Sequence, residues 1–421
     1  MNASYCSVVA VRLLFVTQWF PPEPTRVPET IATSLSDKGF DVAVLTGTPN
    51  FPTGEVVEGY SARRFQRDEH RGLPVLSTPL YPSHDASAGR RIVNYVSWAV
   101  SAAAAVIGWR PARRADVALV YSSPATAAIP AMLARLLRGT PFVLLVEDLW
   151  PDSVTATGFF QRGVGRRIGV PVLERFVGLT YRLADHVAVI SPGMRRVVVG
   201  RGVPADKVTV VYNWVRDESA QAVPVEGEDV HLVYGGNLGR AQGLDVIIKA
   251  LAVLDDPSVR VSFVGNGVCR DELVELAGEL TPDQVDFRPR MDLADFQEFA
   301  RTASALFVCL SADPLFDITL PSKVQSTLAM GLPLIASAGT DAREIVDASG
   351  AGWSAPAGDV EALATAMASA RDAGRDERAR RGAEGRAWYK RELSEEVNAT
   401  RLADLLRRAG AGQRDEGRGA A

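Results

Sequence analysis

Cysteine and histidine are both scarce in this chain, and each shortage closes off a class of function. The three cysteines, Cys6, Cys269 and Cys309, are too few and too scattered for a disulfide framework or a zinc cage. The four histidines, His70, His84, His186 and His231, show no paired-ligand spacing, so no metal site built on imidazole is expected. An excess of one charge is also missing. With 46 Lys+Arg against 50 Asp+Glu, the formal net charge of −4 gives no electrostatic reason to wrap a nucleic-acid backbone, and no nucleic-acid partner is expected. The first residues lack the basic start and small-residue cleavage site of a secretory peptide. What remains is the balance of an ordinary soluble protein, 47% hydrophobic and 23% charged over 421 residues, enough for two or three domains. The composition reads as a reduced, cytoplasmic enzyme.

One segment, Ile92–Gly108, carries no charge and is flanked by Arg90, Arg91, Arg110, Arg113 and Arg114. As a helix it would be about 26 Å long, marginal for a bilayer. Its five alanines weaken insertion further. Three readings stand: a core helix, a helix lying on a membrane surface with its arginines against anionic headgroups, and a span.

Apolar runs alternate with amphipathic stretches in two blocks. The first block offers strands at Arg12–Thr17, Asp41–Thr46, Val75–Thr78, Val117–Tyr121, Phe142–Val146, Val187–Ile190 and Val208–Val211. The second offers His231–Tyr234, Val259–Val264, Val285–Arg288, Ala305–Leu310, Leu334–Ala336 and Gly352–Ser354. Helical periodicity falls between most of them, so the pattern predicts an α/β protein of two doubly wound domains facing across a cleft. The expected division is 1–213 for the first domain and 214–385 for the second, with the seam near residues 213–229, where the polar stretch Asp217–Asp229 interrupts the pattern. A helix over 386–408 is expected to cross back and brace the first domain, leaving 409–421 as a disordered tail.

Doubly wound domains bind ligands at the carboxyl ends of their strands, so the loops there are where chemistry is sought. His231–Tyr234 runs into Gly235-Gly236-Asn237-Leu238-Gly239-Arg240 and then a predicted helix. A glycine turn before a helix start offers bare amides to an anion, and Arg240 adds a bidentate phosphate donor. The plainer alternative is a tight turn that needs glycine for packing. After Ala305–Leu310 comes Thr319-Leu320-Pro321-Ser322-Lys323, with Pro321 suited to the first turn of a helix. A lysine in that first turn opposes the dipole, which suggests that an anion is expected there, although a solvated surface lysine is the alternative. Two such loops suit a diphosphate. In the first block, Phe142–Val146 ends in Glu147-Asp148-Leu149-Trp150-Pro151-Asp152. Carboxylates at that spot would bind sugar hydroxyls, orient an acceptor or stabilise positive charge, with helix capping by Asp152 as the alternative. The loops Gln18–Arg26 and Gly47–Gly54 would form lips at the same edge, with a purely structural role as the alternative.

Read together, Pro49-Asn50-Phe51-Pro52-Thr53-Gly54 with Gly59-Tyr60, then Asp148-Leu149-Trp150-Pro151-Asp152-Ser153, Gly236-Asn237-Leu238-Gly239 with Ala241-Gln242-Gly243, and Pro321-Ser322-Lys323 resemble one family. It is the retaining glycosyltransferases of family 4, in the branch of bacterial capsule, O-antigen and colanic-acid biosynthesis enzymes, and the resemblance covers about residues 11–408. It implies a GT-B fold, with the nucleotide-sugar donor held mainly by the C-terminal domain and retention without a bound metal or other cofactor. No Asp-x-Asp triplet occurs in the sequence. By position, Gly235, Gly236, Asn237, Gly239 and Arg240 would lie by the donor diphosphate with Gly265, Ser322 and Lys323. Asp148 matches the family aspartate, and Glu147 stands where many relatives have histidine. The family's spaced glutamates fall at Ile318 and Ser326, neither of them acidic, with Asp317 adjacent to the first, and Ser326 would offer the donor ribose a shorter, neutral contact. Pro24-Thr25-Arg26 replaces glycines after the first strand.

The resemblance implies transfer of a sugar from a nucleoside-diphosphate sugar, in the first instance a UDP-sugar, to a saccharide or lipid-linked acceptor. Asp148, Glu147, Arg240 and Lys323 would be the catalytic groups. Two other readings share the fold: a sugar-nucleotide 2-epimerase, which the sparse histidines argue against, and a non-catalytic member acting as a binding subunit.

Overall fold

A computed structural model describes residues 10–83, 88–153, 164–214, 230–314 and 316–419. Cys6, His84 and the polar stretch Asp217–Asp229 lie outside the described residues. The contacts divide the chain into two units. The first holds the chain up to Ile190, Met194–Tyr212 and the residues from Asn398 onward; the second holds Ser191–Gly193 and Asn213–Val397.

The first unit contains β1 (Arg12–Val16), β2 (Asp41–Gly47), β3 (Gln66–His70), β4 (Leu73–Thr78), β5 (Val117–Ser122), β6 (Phe142–Val146), β7 (His186–Val189) and β8 (Val208–Val210). They form one sheet in the order β3-β4-β2-β1-β5-β6-β7-β8, parallel except for β3 against β4. The central strands are buried over almost their whole length, which is why they read as continuous apolar runs without alternation. β3, with the sequence Gln-Arg-Asp-Glu-His, has no apolar periodicity, and the sequence pattern does not mark it. It exists because Arg71 and Gly72, at φ 51° and 80°, make the positive-φ turn that folds an antiparallel edge strand back on β4.

The second unit contains β9 (Val230–Gly235), β10 (Val259–Val264), β11 (Val285–Arg288), β12 (Ala305–Cys309), β13 (Leu334–Ala338) and β14 (Gly352–Pro356), all parallel, in the order β11-β10-β9-β12-β13-β14. Its core centres on Tyr234, Phe263 and Phe307, with Phe263 stacked on Phe287 at 5.1 Å between ring centroids. Each such side chain removed from water contributes about 1.5–3 kcal/mol.

The uncharged segment is the helix Ala88–Gly108, beginning four residues earlier than the apolar run. One face, with Trp98, Ala99, Ala102 and Val106, is buried, while Ile92, Val93, Val96, Val100 and Ile107 are exposed. Among the described residues, Gly89–Gly108 is the one helix apolar and long enough to cross a membrane, and a third of it is buried inside the protein.

The C-terminal segment differs from expectation in two ways. The helix over 386–408 is instead two helices, Gly374–Trp388 and Glu395–Gly419, separated by a wide turn over Tyr389–Leu393. Tyr389 and Leu393 are fully buried and hold that turn, and Ser394 is extended before Glu395 and Glu396 open the next helix at its positive end. The backbone expected as a disordered tail from 409 continues this helix to Gly419. Leu402, Ala403, Leu405 and Leu406 are buried, so the helix is docked before the glycine-rich end and propagates from there. Within the first unit, Tyr212 N–H donates to Asn398 at 3.0 Å, and the Arg407 guanidinium lies 5.2 Å from the Phe40 ring centroid.

Candidate active site

In the second sheet the strand order reverses between β9 and β12, and the two candidate anion loops follow those strands. The glycine turn after β9 is built by backbone crowding. Gly265, at φ +149°, follows β10, and a Cβ there would meet Gly236 O at 1.9 Å; one at Gly267 would meet Leu238 O at 2.3 Å. The two turns also hydrogen-bond, Gly236 N–H to Val264 O at 2.9 Å and Leu238 N–H to Asn266 O at 2.9 Å. Gly235 has Phe296 in the place of a Cβ. Much of the glycine content is therefore demanded by packing, and Gly265 serves the turn directly.

Gly236 has a different neighbour. At φ +140°, its missing Cβ leaves room for Lys323, whose Cε and Nζ would lie 2.7 and 2.9 Å from that atom. The Lys323 ammonium sits 5.2 Å from the Tyr234 ring centroid, and among the described residues it has no carboxylate partner. Burial pushes its pKa below the usual lysine value. Tyr234 is itself fixed by donating its hydroxyl to Asn237 O at 2.9 Å. The sequence pattern does not mark Tyr234, although it directly precedes the glycine pair.

The two helix starts are not alike. Ser322–Met330 begins with Pro321 at the cap position, one residue outside the helix rather than in its first turn, with no capping side chain and no acidic residue in its first turn. The glycine turn does not open straight into a helix. A single 3-10 turn over Arg240–Gln242 intervenes, and Gly243 at φ 57° redirects the chain before Asp245–Leu254 begins. That helix carries its own carboxylate, Asp245, paired with Lys249 at 2.7 Å, so its positive end is already occupied. Arg240 projects to Glu272 at 3.1 Å, with the two side chains 75% and 62% exposed. A Cβ at Gly239 would meet Asn237 Nδ2 at 2.6 Å and Gln242 Oε1 at 2.8 Å, and Asn237 Nδ2 donates to Gln242 Oε1 at 3.4 Å. Ser322 is exposed; Ser326 donates to Lys323 O at 3.2 Å within its own helix. The structure thus brings Gly236, Tyr234 and Lys323 together, and directs Arg240 to Glu272.

At the carboxyl end of the first sheet, Asp148 follows β6. It keeps a face open to solvent but is ringed by protein, and that crowding raises its carboxyl above the usual aspartate range. Ser123 Oγ–H, after β5, donates to it at 2.7 Å and pulls the other way. Glu147 and Asp148 both face Tyr121, whose hydroxyl is held protonated by burial first and by these charges second. Asp152 is paired with Arg201, which also donates to Trp150 O at 2.8 Å. The third carboxylate of the cluster is therefore a structural anchor for the loop. Among the described residues no three His, Cys, Asp or Glu side chains come close enough to hold a metal ion.

Residues 24–214 match the family of glycosyl transferase 4-like domains, and residues 215–388 match glycosyl transferases group 1. This chain belongs to the family 4 type of glycosyltransferases. WbjE of Pseudomonas aeruginosa, named as a glycosyltransferase, is 26% identical over 267 residues, 60% of this chain and 65% of WbjE, so the match spans just under two thirds of that relative. WcaI of Escherichia coli (strain K12), named for colanic acid biosynthesis, is 27% identical over 315 residues, 70% of this chain and 75% of WcaI. The fold is GT-B. Anabaena HepE, solved with UDP, superposes with a TM-score of 0.69 at 14% identity over 94% of this chain and 99% of HepE. Sucrose-phosphate synthase of Thermosynechococcus elongatus gives 0.68 at 16% identity over 95% and 99%. The chain is a glycosyltransferase.

Proposed function

We propose that this glycosyltransferase moves a sugar, with retention of anomeric configuration, from a nucleoside-diphosphate sugar to a saccharide or lipid-linked acceptor in bacterial surface polysaccharide synthesis. The observation that carries this is the Lys323 ammonium, desolvated beside Gly236 and without a carboxylate partner among the described residues. A cation in that state gains most from an anionic ligand, and the uncapped helix start at Ser322 adds amides of the same polarity. HepE was solved with UDP and, separately, with UDP-glucose, which supports a uridine donor here.

In this reading, breaking the anomeric bond leaves negative charge on the diphosphate, and Lys323 with the Gly236–Gly239 turn stabilises it more in the transition state than in the ground state. Arg240 would contribute only by exchanging Glu272 for phosphate. The sugar becomes oxocarbenium-like, and Asp148, oriented by Ser123 and backed by Glu147, is assigned to that charge. No step is assigned to a metal. Ser326, in place of the second family glutamate, leaves the donor ribose a shorter, neutral contact, and Asp317 stands beside the first position at Ile318.

Thermal shift with a panel of nucleoside diphosphates tests the donor half, since a ligand that binds only the native state raises the Tm. UDP should give the largest shift in the wild type and little in Lys323→Ala; equal shifts in both proteins would overturn the assignment. Acceptor-dependent release of UDP distinguishes a transferase from an epimerase, which needs no acceptor.

The same proposal places the enzyme in the cytoplasm at the membrane surface. The exposed row Ile92, Val96, Val100 and Ile107 on the Ala88–Gly108 helix is flanked by arginines at both ends, an arrangement suited to anionic headgroups. Binding to phosphatidylglycerol vesicles that weakens with salt is the expected result. Full recovery in the low-salt soluble fraction, without vesicle binding, would exclude it.

A further inference from the structure

The strand-end loops of the first unit hold a buried carboxylate that the donor chemistry leaves unused. Glu23 is only 4% exposed, and its oxygens accept from backbone of two separate loops. Oε2 accepts from Phe20 N–H at 3.1 Å, in the loop after β1; Oε1 accepts from Asn50 N–H and Phe51 N–H, both at 2.8 Å, in the loop after β2. Burial pushes this carboxyl up to about 7 against the pull of those three donors. A buried ionisable group is costly, and an apolar residue of similar size would leave three amides unsatisfied.

What the clamp holds is a row of aromatic rings. Trp19 and Phe51, one from each clamped loop, lie 5.8 Å apart between ring centroids. The row continues from Trp19 to Tyr95 at 6.3 Å and from Tyr95 to Trp150 at 6.1 Å, ending two residues from Asp148. All four rings are half-buried, so each keeps a face or an edge open. The Ala88–Gly108 helix, which supplies Tyr95, is pinned to the same loop by Gln18 Nε2 donating to Asn94 Oδ1 at 2.6 Å. Rigid rings with polar edges beside hydroxyl-accepting carboxylates suit the C–H faces and hydroxyls of a pyranose.

We propose that Glu23 is a positioning residue that locks Trp19 and Phe51 against Tyr95 and Trp150, and that this row stacks a sugar ring of the acceptor. The word acceptor rests on the transferase reading above; the binding of a sugar ring to the row does not. Tryptophan fluorescence is titrated with submicellar octyl glycosides of glucose, galactose and N-acetylglucosamine on the full chain, and the UDP thermal shift is recorded in parallel. At least one glycoside should give a saturable change in the wild type. Trp150→Ala should abolish it, and Glu23→Gln, which sets an amide N–H against Phe20 N–H, should weaken it fivefold or more. The UDP shift should be unchanged in both variants. Absence of any saturable change in the wild type, wild-type affinity in Glu23→Gln, or equal loss of glycoside and UDP binding in that variant would each overturn the proposal. If Glu23→Gln does not fold, Trp19→Ala and Trp150→Ala decide, and full affinity in both counts against the row. Glycoside binding without any UDP shift would sink the donor reading and leave the row standing; the reverse would do the opposite.

Discussion

The strand-end loops of the two sheets solve different recognition problems with different residue types. In the second unit the loops are thin: glycines let backbones touch, and the space left at Gly236 is taken by one ammonium over Tyr234. In the first unit the loops are thick with rings and carboxylates, fixed by Glu23 and by the Asp152–Arg201 pair. Backbone amides and a desolvated cation favour an anion. Aromatic faces with acidic neighbours favour a neutral polyol. The comparison teaches that a shared architecture sets only where loops gather, and that the residue types in the loops decide what they hold.

The sharpest way to break this contrast is at Lys323. Replacing it with alanine removes a charge-assisted contact made to the leaving group, and kcat/KM should fall by about 2–4 kcal/mol in transition-state stabilisation, read from steady-state UDP release. The second unit's thinness is tested by Gly265→Ala. Its Cβ would sit 1.9 Å from Gly236 O at φ +149°, so the Tm of this unit should drop by an amount equivalent to roughly 3 kcal/mol, measured by calorimetry.

In the first unit, Glu23 makes a signed prediction about pH. Its folded pKa, about 7, lies above the ordinary 4.5, so its native form takes up a proton more readily than its unfolded form. The corresponding stability is fully present below pH 4.5 and is lost as pH rises through 7, by up to about 3 kcal/mol. The Tm of wild type minus that of Glu23→Gln should therefore decline from pH 5 to pH 8, and a flat difference would show that the carboxyl is not perturbed. The smallest effect is expected at Arg240. Its pair with Glu272 is solvent-exposed, so Arg240→Ala should change stability by less than about 1 kcal/mol in chemical denaturation. A loss of activity as large as that of Lys323→Ala would show that the guanidinium turns to the diphosphate during catalysis.

Much of the second unit's site was legible in residue order. Gly236 and Lys323 are singled out by a glycine turn after one strand and an unfavourably placed lysine after another, and the sheet order brings those two strands side by side. The partner that completes them, Tyr234, was not marked, because a tyrosine at a strand end looks like core until its ring is seen under an ammonium. Arg240 was half legible: a cation beside a glycine turn reads as a phosphate donor, and only the structure pairs its guanidinium with Glu272, 32 residues away in sequence. Edge strand β3 and the break at Tyr389–Leu393 were hidden for a related reason, since a polar hairpin and a buried wide turn leave no apolar period to follow.

By itself the sequence determined the two alternating blocks, the parallel sheets and the family, because hydrophobic period and motif order are local properties of a chain. Only the tertiary structure decided which charges stand without a counter-ion, which glycines are held by backbone contact, and which four rings form a row. Those depend on atoms brought together from distant positions, and a neighbour that burial supplies cannot be read from the residue it surrounds.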